Sequence, residues 1–477
     1  MKKSRIPHTF TLIFSIIIFM AILTWIIPSG EFATEEKEGK SVPIAGTYQR
    51  IDKVTTDKDG EVTDVRQGVK GILTAPIKGG KAAAEVLVFV LIIGGAFGII
   101  SKSGAIEAGL AKTVRTLEGK ELLIIPVAMV LFGLGGTTFG MCEETIPFYM
   151  VFIPLMLSMG YDSLTGFMIV SLGAAAGTAA STTNPFSVGI AQGIAELAPG
   201  SGVNFRWIQW MIFMAVVIAF VMWYGRRIKK NPEKSPMYEL DKENRTYFLG
   251  NVGDADKKEF KWNHVMVLLG FAFGIILMIY GVKKWDWYIE EISMIFFGIG
   301  LFAAIITVIA KEAGANEIAE SFVQGCKDLT SAAVVIGLAR GILVVAQDGK
   351  IIDTILNTLA KTLNGLPKGV FASLMLLVQN AIAFLVPSSS GHAALTMPVM
   401  APLGDLVHVN RQVVVTAYQY GTGLTNMITP TSGTLMAALG IAKIPWNKYV
   451  KFILPLVAIL WVIAAIFLIV GLGISAV

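Results

Sequence analysis

Apolar runs of about 17 or more residues recur along the whole chain, separated by short polar stretches. That is the length a helix needs to cross a hydrocarbon core about 30 Å thick. The first run, Phe10 to Ile27, follows a basic start and predicts a membrane helix over 1–27. A secretory signal peptide has a similar outline, but this apolar core is long for one and no A-x-A site closes it. Residues 28–81 are polar, with nine Lys/Arg against nine Asp/Glu, and predict an extracytoplasmic loop. Its centre, "YQRIDKVTTDKDGEVTDVRQ", has β-forming arms around "DKDG" and predicts a small hairpin. The next run, about Ala82 to Ile100, returns to the cytoplasm, where "KSGAIEAGLAKTVRTLEGKE" has the pattern of an amphipathic surface helix.

The pattern then changes. Leu122 to Leu134 is only 13 residues, about 20 Å of helix and too short to span. "GGTTFGMCEET" interrupts it, and a second short apolar run ends at Gly160. Two half-length helices meeting at a polar tip predict a re-entrant hairpin over 122–160, tolerable only where the tip is buried in protein or lines a watery cavity. A helix over 163–197 meets "STTNP", and Pro185 must break it. Trp207 to Tyr224 then crosses to the basic "GRRIKK". The linker 225–263, with ten Lys/Arg and seven acids, belongs inside. Two scaffold helices fill 264–310, and "KEAGANEIAESFVQGCKDL" is the next cytoplasmic piece.

The remainder, 311–477, replays 82–224. "MVFIPLMLSMGYDSLTGFMIVSLGAAAGT" matches "PVMAPLGDLVHVNRQVVVTAYQYGTGLTN" without a gap, placing Pro154 on Pro402, Asp162 on Asn410 and Gly173 on Gly421. With a small shift Pro185 falls on Pro430. The span before Ile100 runs inward, while its counterpart, about Ala332 to Ala346, runs outward. The second hairpin (369–406, turning at "VPSSSGHAA") and the second broken helix (411–442, breaking at "TNMITPTSG") are therefore inverted relative to the first pair. The fold class that follows is an all-α polytopic membrane protein with inverted repeats. It has about nine membrane crossings, two opposed re-entrant hairpins and two discontinuous helices, the plan of a secondary transporter whose site lies where the breaks converge.

Composition agrees. Of 477 residues 54% are hydrophobic and 15% charged, where a soluble chain carries about 25% charged; mean hydropathy is +0.66. The net charge of +5 resides in the expected cytoplasmic loops and calls for no nucleic-acid partner. Cys142 and Cys326 have no metal-binding spacing.

Four polar breaks supply the candidate substrate site. Ser181, Thr182, Thr183 and Asn184 lie in the first broken helix, and Asn426, Thr429, Thr431 and Ser432 in the second. Ser388, Ser389, Ser390 and His392 form the second tip, and Glu143 and Glu144 the first. Freed backbone groups at helix ends favour anions at N-termini and cations at C-termini; the hydroxyls can equally serve as caps. A buried acid costs roughly 2.5–3.5 kcal/mol, so two adjacent ones call for a cation, a proton or a positively charged substrate. Arg340, within "VVIGLARGILVV", can neutralise them internally or bind a substrate carboxylate. No cofactor is implied; Na+ or H+ coupling stays open. "SSSGHAA" also permits an intramembrane serine hydrolase, a class that gives the inverted repeat no purpose.

"WIIPSGEF", "STTNPFSVGIAQ", "LVPSSSGHAALTMPVMAPLGDL" and "QYGTGLTNMITPTSGTLMAALG" resemble the YfcC-like group of the C4-dicarboxylate anaerobic carrier family, within the ion transporter superfamily. The resemblance implies a multi-pass transporter of the bacterial inner membrane, N-terminus cytoplasmic, working as an elevator-type homodimer on a small-molecule substrate in the bilayer. Members are named variously as dicarboxylate carriers and as basic amino acid antiporters of the arginine/ornithine type. In related superfamily members Ser-Asn-Thr clusters at the tips bind carboxylate and sodium. This chain reads "GMCEE" and "PSSSGH" there. The acid pair favours exchange of a basic amino acid; a C4-dicarboxylate or other organic anion is the alternative.

Overall fold

The computed structural model describes residues 9–37, 40–56, 62–116, 119–249, 260–285 and 287–474. Helix α1 (Thr9–Ile26) leads into a lobe of short strands: β1 (Gly30–Glu31), β2 (Thr34–Lys37), β3 (Lys40–Pro43), β4 (Gln49–Arg50), β5 (Val54–Thr56) and β6 (Val62–Asp64). They pair antiparallel as β1–β4, β2–β3 and β5–β6. β5 and β6 are the arms expected around "DKDG", in register Val54 to Asp64; the turn itself lies outside the described residues, as do the basic start 1–8 and linker residues 250–259.

Helices then follow one another: α2 (Val69–Ala82), α3 (Ala84–Lys102), α4 (Ala105–Thr116), α5 (Ile124–Phe139) and α6 (Ile146–Ser158). Next come α7 (Ser163–Ala179), a π-turn at Pro185–Gly189, α8 (Ile190–Ile194), α9 (Val203–Lys230), α10 (Tyr238–Leu249), α11 (Trp262–Trp285) and α12 (Ile289–Ile309). The second half holds α13 (Ala315–Asp348), α14 (Ile352–Leu363), α15 (Lys368–Leu385), α16 (Ser389–Leu406), α17 (Arg411–Asn426), α18 (Gly433–Ile441) and α19 (Trp446–Gly471).

Among the described residues nine helices are long and apolar enough to cross a membrane. They are not the nine of the sequence reading. α5 and α15 are among them, yet each turns back, as α6 and α16. The broken pairs α7–α8 and α17–α18, whose halves are shorter, take the two vacated places.

Three expectations need correction. Residues 69–82, read as the end of a polar loop, are helix α2, which packs with α3 along α13. The glycines of "GLGGTTFG" do not interrupt α5, which runs on to Phe139. They are contact points: a Cβ on Gly136 would meet the Ala174 carbonyl at 2.3 Å, so their smallness lets α5 and α7 touch. The helix stops at Gly140, whose φ of 76° suits a residue without Cβ. Lastly, the supposed cytoplasmic piece and the span after it are one helix, α13, of 34 residues, about 51 Å long.

The repeat register holds in three dimensions. Asp162 caps α7 by accepting from Thr165 N–H at 2.8 Å, and Asn410 caps α17 by accepting from Gln412 N–H at 2.8 Å. Gly173 faces Met129 of α5, and Gly421 faces Gln379 of α15. Trp210 of α9 donates to Gly133 O at 3.1 Å, and Trp461 of α19 to Asn380 Oδ1 at 3.0 Å, so each first hairpin limb is held by an indole.

The helices sort into two groups by contact. α1–α4 and α11–α13 form a scaffold around α13; α5–α9 and α15–α19 form a core in which the limbs and broken helices pack together. α18 lying on α13 is the main junction, with Gly433 against Ile336. α4 and α14 are the arms that lead from scaffold helices into hairpins.

Candidate functional site

Each hairpin tip is fixed to the break of its own repeat. Thr137 O accepts from Thr182 N–H at 3.1 Å and Thr183 N–H at 3.2 Å, while Thr137 Oγ1 donates to Ala180 O at 3.1 Å. In the second repeat Asn426 Nδ2 donates to Pro387 O at 2.9 Å and Thr431 Oγ1 to Phe384 O at 2.7 Å. The breaks also meet each other: Gly423 of α17 lies against Ala179, and Gln419 Nε2 donates to Thr178 O. Backbone groups freed by the breaks are thus partly satisfied inside the core, and the rest border a cavity.

That cavity, about 460 Å³, lies between core and scaffold. The core contributes Glu143, Glu144, Ser388, Ser389, Ser390, Asn426, Thr431 and Ser432; the scaffold contributes Arg340 from α13. A smaller cavity of about 110 Å³ adjoins it, shares Ser389, Asn426 and Ser432, and reaches Asn184. Of the residues chosen from sequence, ten therefore border connected space.

The other five do not line these cavities. Ser181 is buried and donates to Thr178 O at 2.7 Å; Thr182 is taken up by Thr137; Thr183 is exposed elsewhere. Thr429 is buried against Thr431, 2.7 Å between hydroxyls. His392 is fully buried between α16 and α17, its Nδ1 2.6 Å from Thr422 Oγ1 and its ring against Tyr418. The imidazole pairs with Thr422 rather than Ser390, which removes the serine–histidine constellation.

The tip acids sit in different surroundings. Glu144 is buried, and its Oε2 accepts from Cys142 N–H at 2.8 Å, closing the tip on itself. Glu143 is half-exposed to the cavity, with Oε1 accepting from Thr434 Oγ1 at 3.0 Å. Among the described residues neither acid forms an ion pair, and Arg340 has no ion-pair or hydrogen-bond partner. The internal Glu–Arg pair weighed from sequence is not formed.

Sequence reasoning missed four wall residues. Lys81 and Glu85 flank the joint between α2 and α3 and face this cavity. They read as charges at the mouth of a span because the three lysines of α2 make it read as polar loop. Gly79 packs on Gly337 and Gly341, which sets the joint beside the Arg340 turn of α13. Tyr288, at the start of α12, stacks near Phe186 of the π-turn with centroids 5.5 Å apart, linking scaffold to core. Thr434 follows the second break and holds Glu143.

The walls are chemically polarised. Two acids, Glu143 and Glu144, stand on the first tip, and Glu85 stands with Lys81 at the scaffold joint. Arg340 and the first turn of α16, where Ser388 caps Gly391 N–H at 3.4 Å, face the space from the other side. A helix N-terminus beside a guanidinium favours a carboxylate. Asn426 Oδ1 is buried without a partner at the joint of both cavities, an acceptor ready for a donor.

Comparison with known proteins follows the same line. The profile of a family described as C4-dicarboxylate anaerobic carrier (DcuC) matches residues 6–473. A protein of Escherichia coli (strain K12) named "Putative basic amino acid antiporter YfcC" is 36% identical over 98% of this chain and 96% of its own length. A Haemophilus influenzae protein described as uncharacterized is 32% identical over 100% of this chain and 99% of its own. Among solved structures, MtrF of Neisseria gonorrhoeae matches with TM-score 0.42 and 19% identity over 99% of this chain and 96% of that one. The YdaH transporter of Alcanivorax borkumensis gives 0.43 and 15% over 98% and 99%.

Proposed function

The chain belongs to the C4-dicarboxylate anaerobic carrier (DcuC) family of membrane transporters, and from that premise we propose that it exchanges amino acids whose side chain is cationic, of the arginine and ornithine type. One observation carries this reading. Lys81 and Arg340 share a single cavity with Glu85, Glu143 and Glu144, and no ion pair joins any of them among the described residues. Lys81 and Glu85 are exposed, but Glu144 is buried and Glu143 and Arg340 are part-buried, and unpaired charges so placed are costly unless a ligand completes them. A basic amino acid does so: its carboxylate meets Arg340 and the α16 N-terminus, and its cationic groups meet the tip acids. The name of the Escherichia coli relative agrees with this choice.

In the mechanism we infer, the core carries the tips and the scaffold stays in place. α18 slides along α13 past the small contact at Gly433 and Ile336, and the arms α4 and α14 take up the motion. Exchange follows because the core moves freely only when the unpaired acids are neutralised by bound substrate. We place the β-lobe outside and the basic end of α9 with Lys443 and Lys448 inside the bacterial inner membrane, by the positive-inside rule. The N-terminus is then cytoplasmic. The exposed apolar faces of α11 and α12, including Phe273, Ile276 and Leu301, suit lipid or a second copy in a homodimer.

The second reading is a C4-dicarboxylate carrier, favoured by the family description and by Arg340 with Lys81. Three acids lining the same cavity oppose it: Glu143 and Glu144 on the tip and Glu85 on the scaffold. Proteoliposomes loaded with arginine or ornithine, then with succinate, separate the two. Exchange of succinate without either basic amino acid overturns the first reading.

A further inference from the structure

A second cavity of about 540 Å³ lies under the β-lobe and shares Arg340, Leu343, Ser388 and Ser390 with the central one. Its floor is one face of α13. Arg340, Leu343 and Gln347 recur at i, i+3 and i+7, a single helical stripe about 10 Å long, and Lys350 follows just beyond the helix end. Its roof is β2–β3; β3 packs on α16, and the chain flanking the two strands is tied to the end of α13 and to α14. Ser29 Oγ donates to Gly349 O at 3.0 Å, Gly30 N–H to Lys350 O at 2.9 Å, Phe32 N–H to Asp353 Oδ2 at 3.1 Å, and Tyr48 meets Thr354 at 2.8 Å. The far wall is the first turn of α16.

We propose that this antechamber is a second substrate site, one that holds the carboxylate of an incoming molecule before it enters the central cavity. Three observations along α13 and its end point the same way. Among the described residues Lys350 has only Glu31 as ion-pair partner, at 3.4 Å between two half-exposed side chains, a contact of little strength that a carboxylate can displace. Gln347 is exposed in the cavity and its amide has no hydrogen-bond partner among the described residues. Arg340, also unpartnered, lines both cavities and so can pass a carboxylate from one to the other. The α16 N-terminus accompanies it along that path. Arg340, Gln347 and Lys350 all sit on α13 or just past its end, so these three contacts stay with the scaffold while the α16 wall travels with the core. The antechamber raises affinity on one face of the membrane alone.

The proposal rests on a substrate that carries a carboxylate, which both readings of function share. The test measures exchange of labelled arginine, and in parallel of succinate, from each face of oriented vesicles holding full-length protein. Lys350→Ala and Gln347→Ala should raise KM about tenfold from the β-lobe face, with kcat and the opposite-face KM within twofold of wild type. Glu144→Gln should raise KM from both faces. A β-lobe-face KM that does not change, or that rises equally from both faces, overturns the antechamber. Exchange of succinate alone changes only the reading of function. A second measurement needs no transport. In a Cys142→Ser, Cys326→Ser background, alkylation of Gln347→Cys by an impermeant maleimide should be slowed by arginine or succinate, and slowed equally when Glu144→Gln is added. No slowing by either compound overturns the proposal.

Discussion

The two hairpin tips occupy equivalent places in the repeat and carry opposite chemistry. The first, Gly140 to Glu144, ends α5 in a left-handed glycine and presents two carboxylates. The second, Val386 to Ser389, presents hydroxyls and the positive end of α16. Around both, the supporting contacts are alike: a tip-to-break hydrogen bond, an indole on the first limb and a capped broken helix. Duplication therefore preserved the frame and let the ligand-facing positions diverge. The result is one cavity with carboxylates at the first tip and hydroxyls with a helix N-terminus at the second, the polarity on which the proposed function rests.

The sharpest way to break this comparison is to remove the guanidinium proposed to meet the substrate carboxylate. Arg340→Ala should lower kcat/KM for arginine exchange by roughly 100-fold, since a charge-assisted hydrogen bond is worth about 1.5–3 kcal/mol. Arg340→Lys should restore part of it, because the charge remains while the fork is lost. Equal loss in both variants would argue for fork geometry over charge.

Removing the acidic pole comes next. Glu144→Gln keeps an acceptor for Cys142 N–H and deletes only the charge, so the tip should stay folded. Arginine exchange should fall roughly tenfold or more. Glu143→Gln should cost less, because that side chain is half-exposed and already bonded to Thr434. If both variants kept arginine exchange intact, the polarity drawn here would be wrong.

Two smaller effects test the shared frame. Thr137→Val deletes the hydroxyl that ties α5 to the first break and should lower stability by about 1–3 kcal/mol, read as a lower unfolding midpoint in detergent. Ser388→Ala should cost about 0.5–1 kcal/mol as a lost cap, the low end because the bond is 3.4 Å long. A large loss from Ser388→Ala, with exchange affected more than stability, would instead mark the hydroxyl as a ligand contact.

Much of this was legible in the linear pattern. The ungapped match that set Asp162 on Asn410 gave the repeat register, and the short apolar runs around "GMCEET" and "VPSSSGH" anticipated two hairpins. Pairing was less legible. His392 and Thr429 are polar residues in a polar stretch, as Ser389 and Thr431 are, and only packing sorts the buried pair from the cavity pair. Lys81 and Glu85 were passed over because α2, with Lys70, Lys78 and Lys81, does not read as membrane helix.

What the sequence determined by itself is the class: about nine crossings, inverted order and the positions of the breaks. Those follow from hydrophobic run length, proline and charge, which act locally and survive in one dimension. The tertiary structure alone decided which polar groups share a space. It brought Arg340 and the α2–α3 joint of the scaffold against tips that lie about 200 residues from them or more in some cases and about 60 in others. It also left those charges unpaired. Such meetings depend on glycine contacts between helices, as at Gly79 with Gly337, and van der Waals fit between distant segments has no periodicity to be read along the chain.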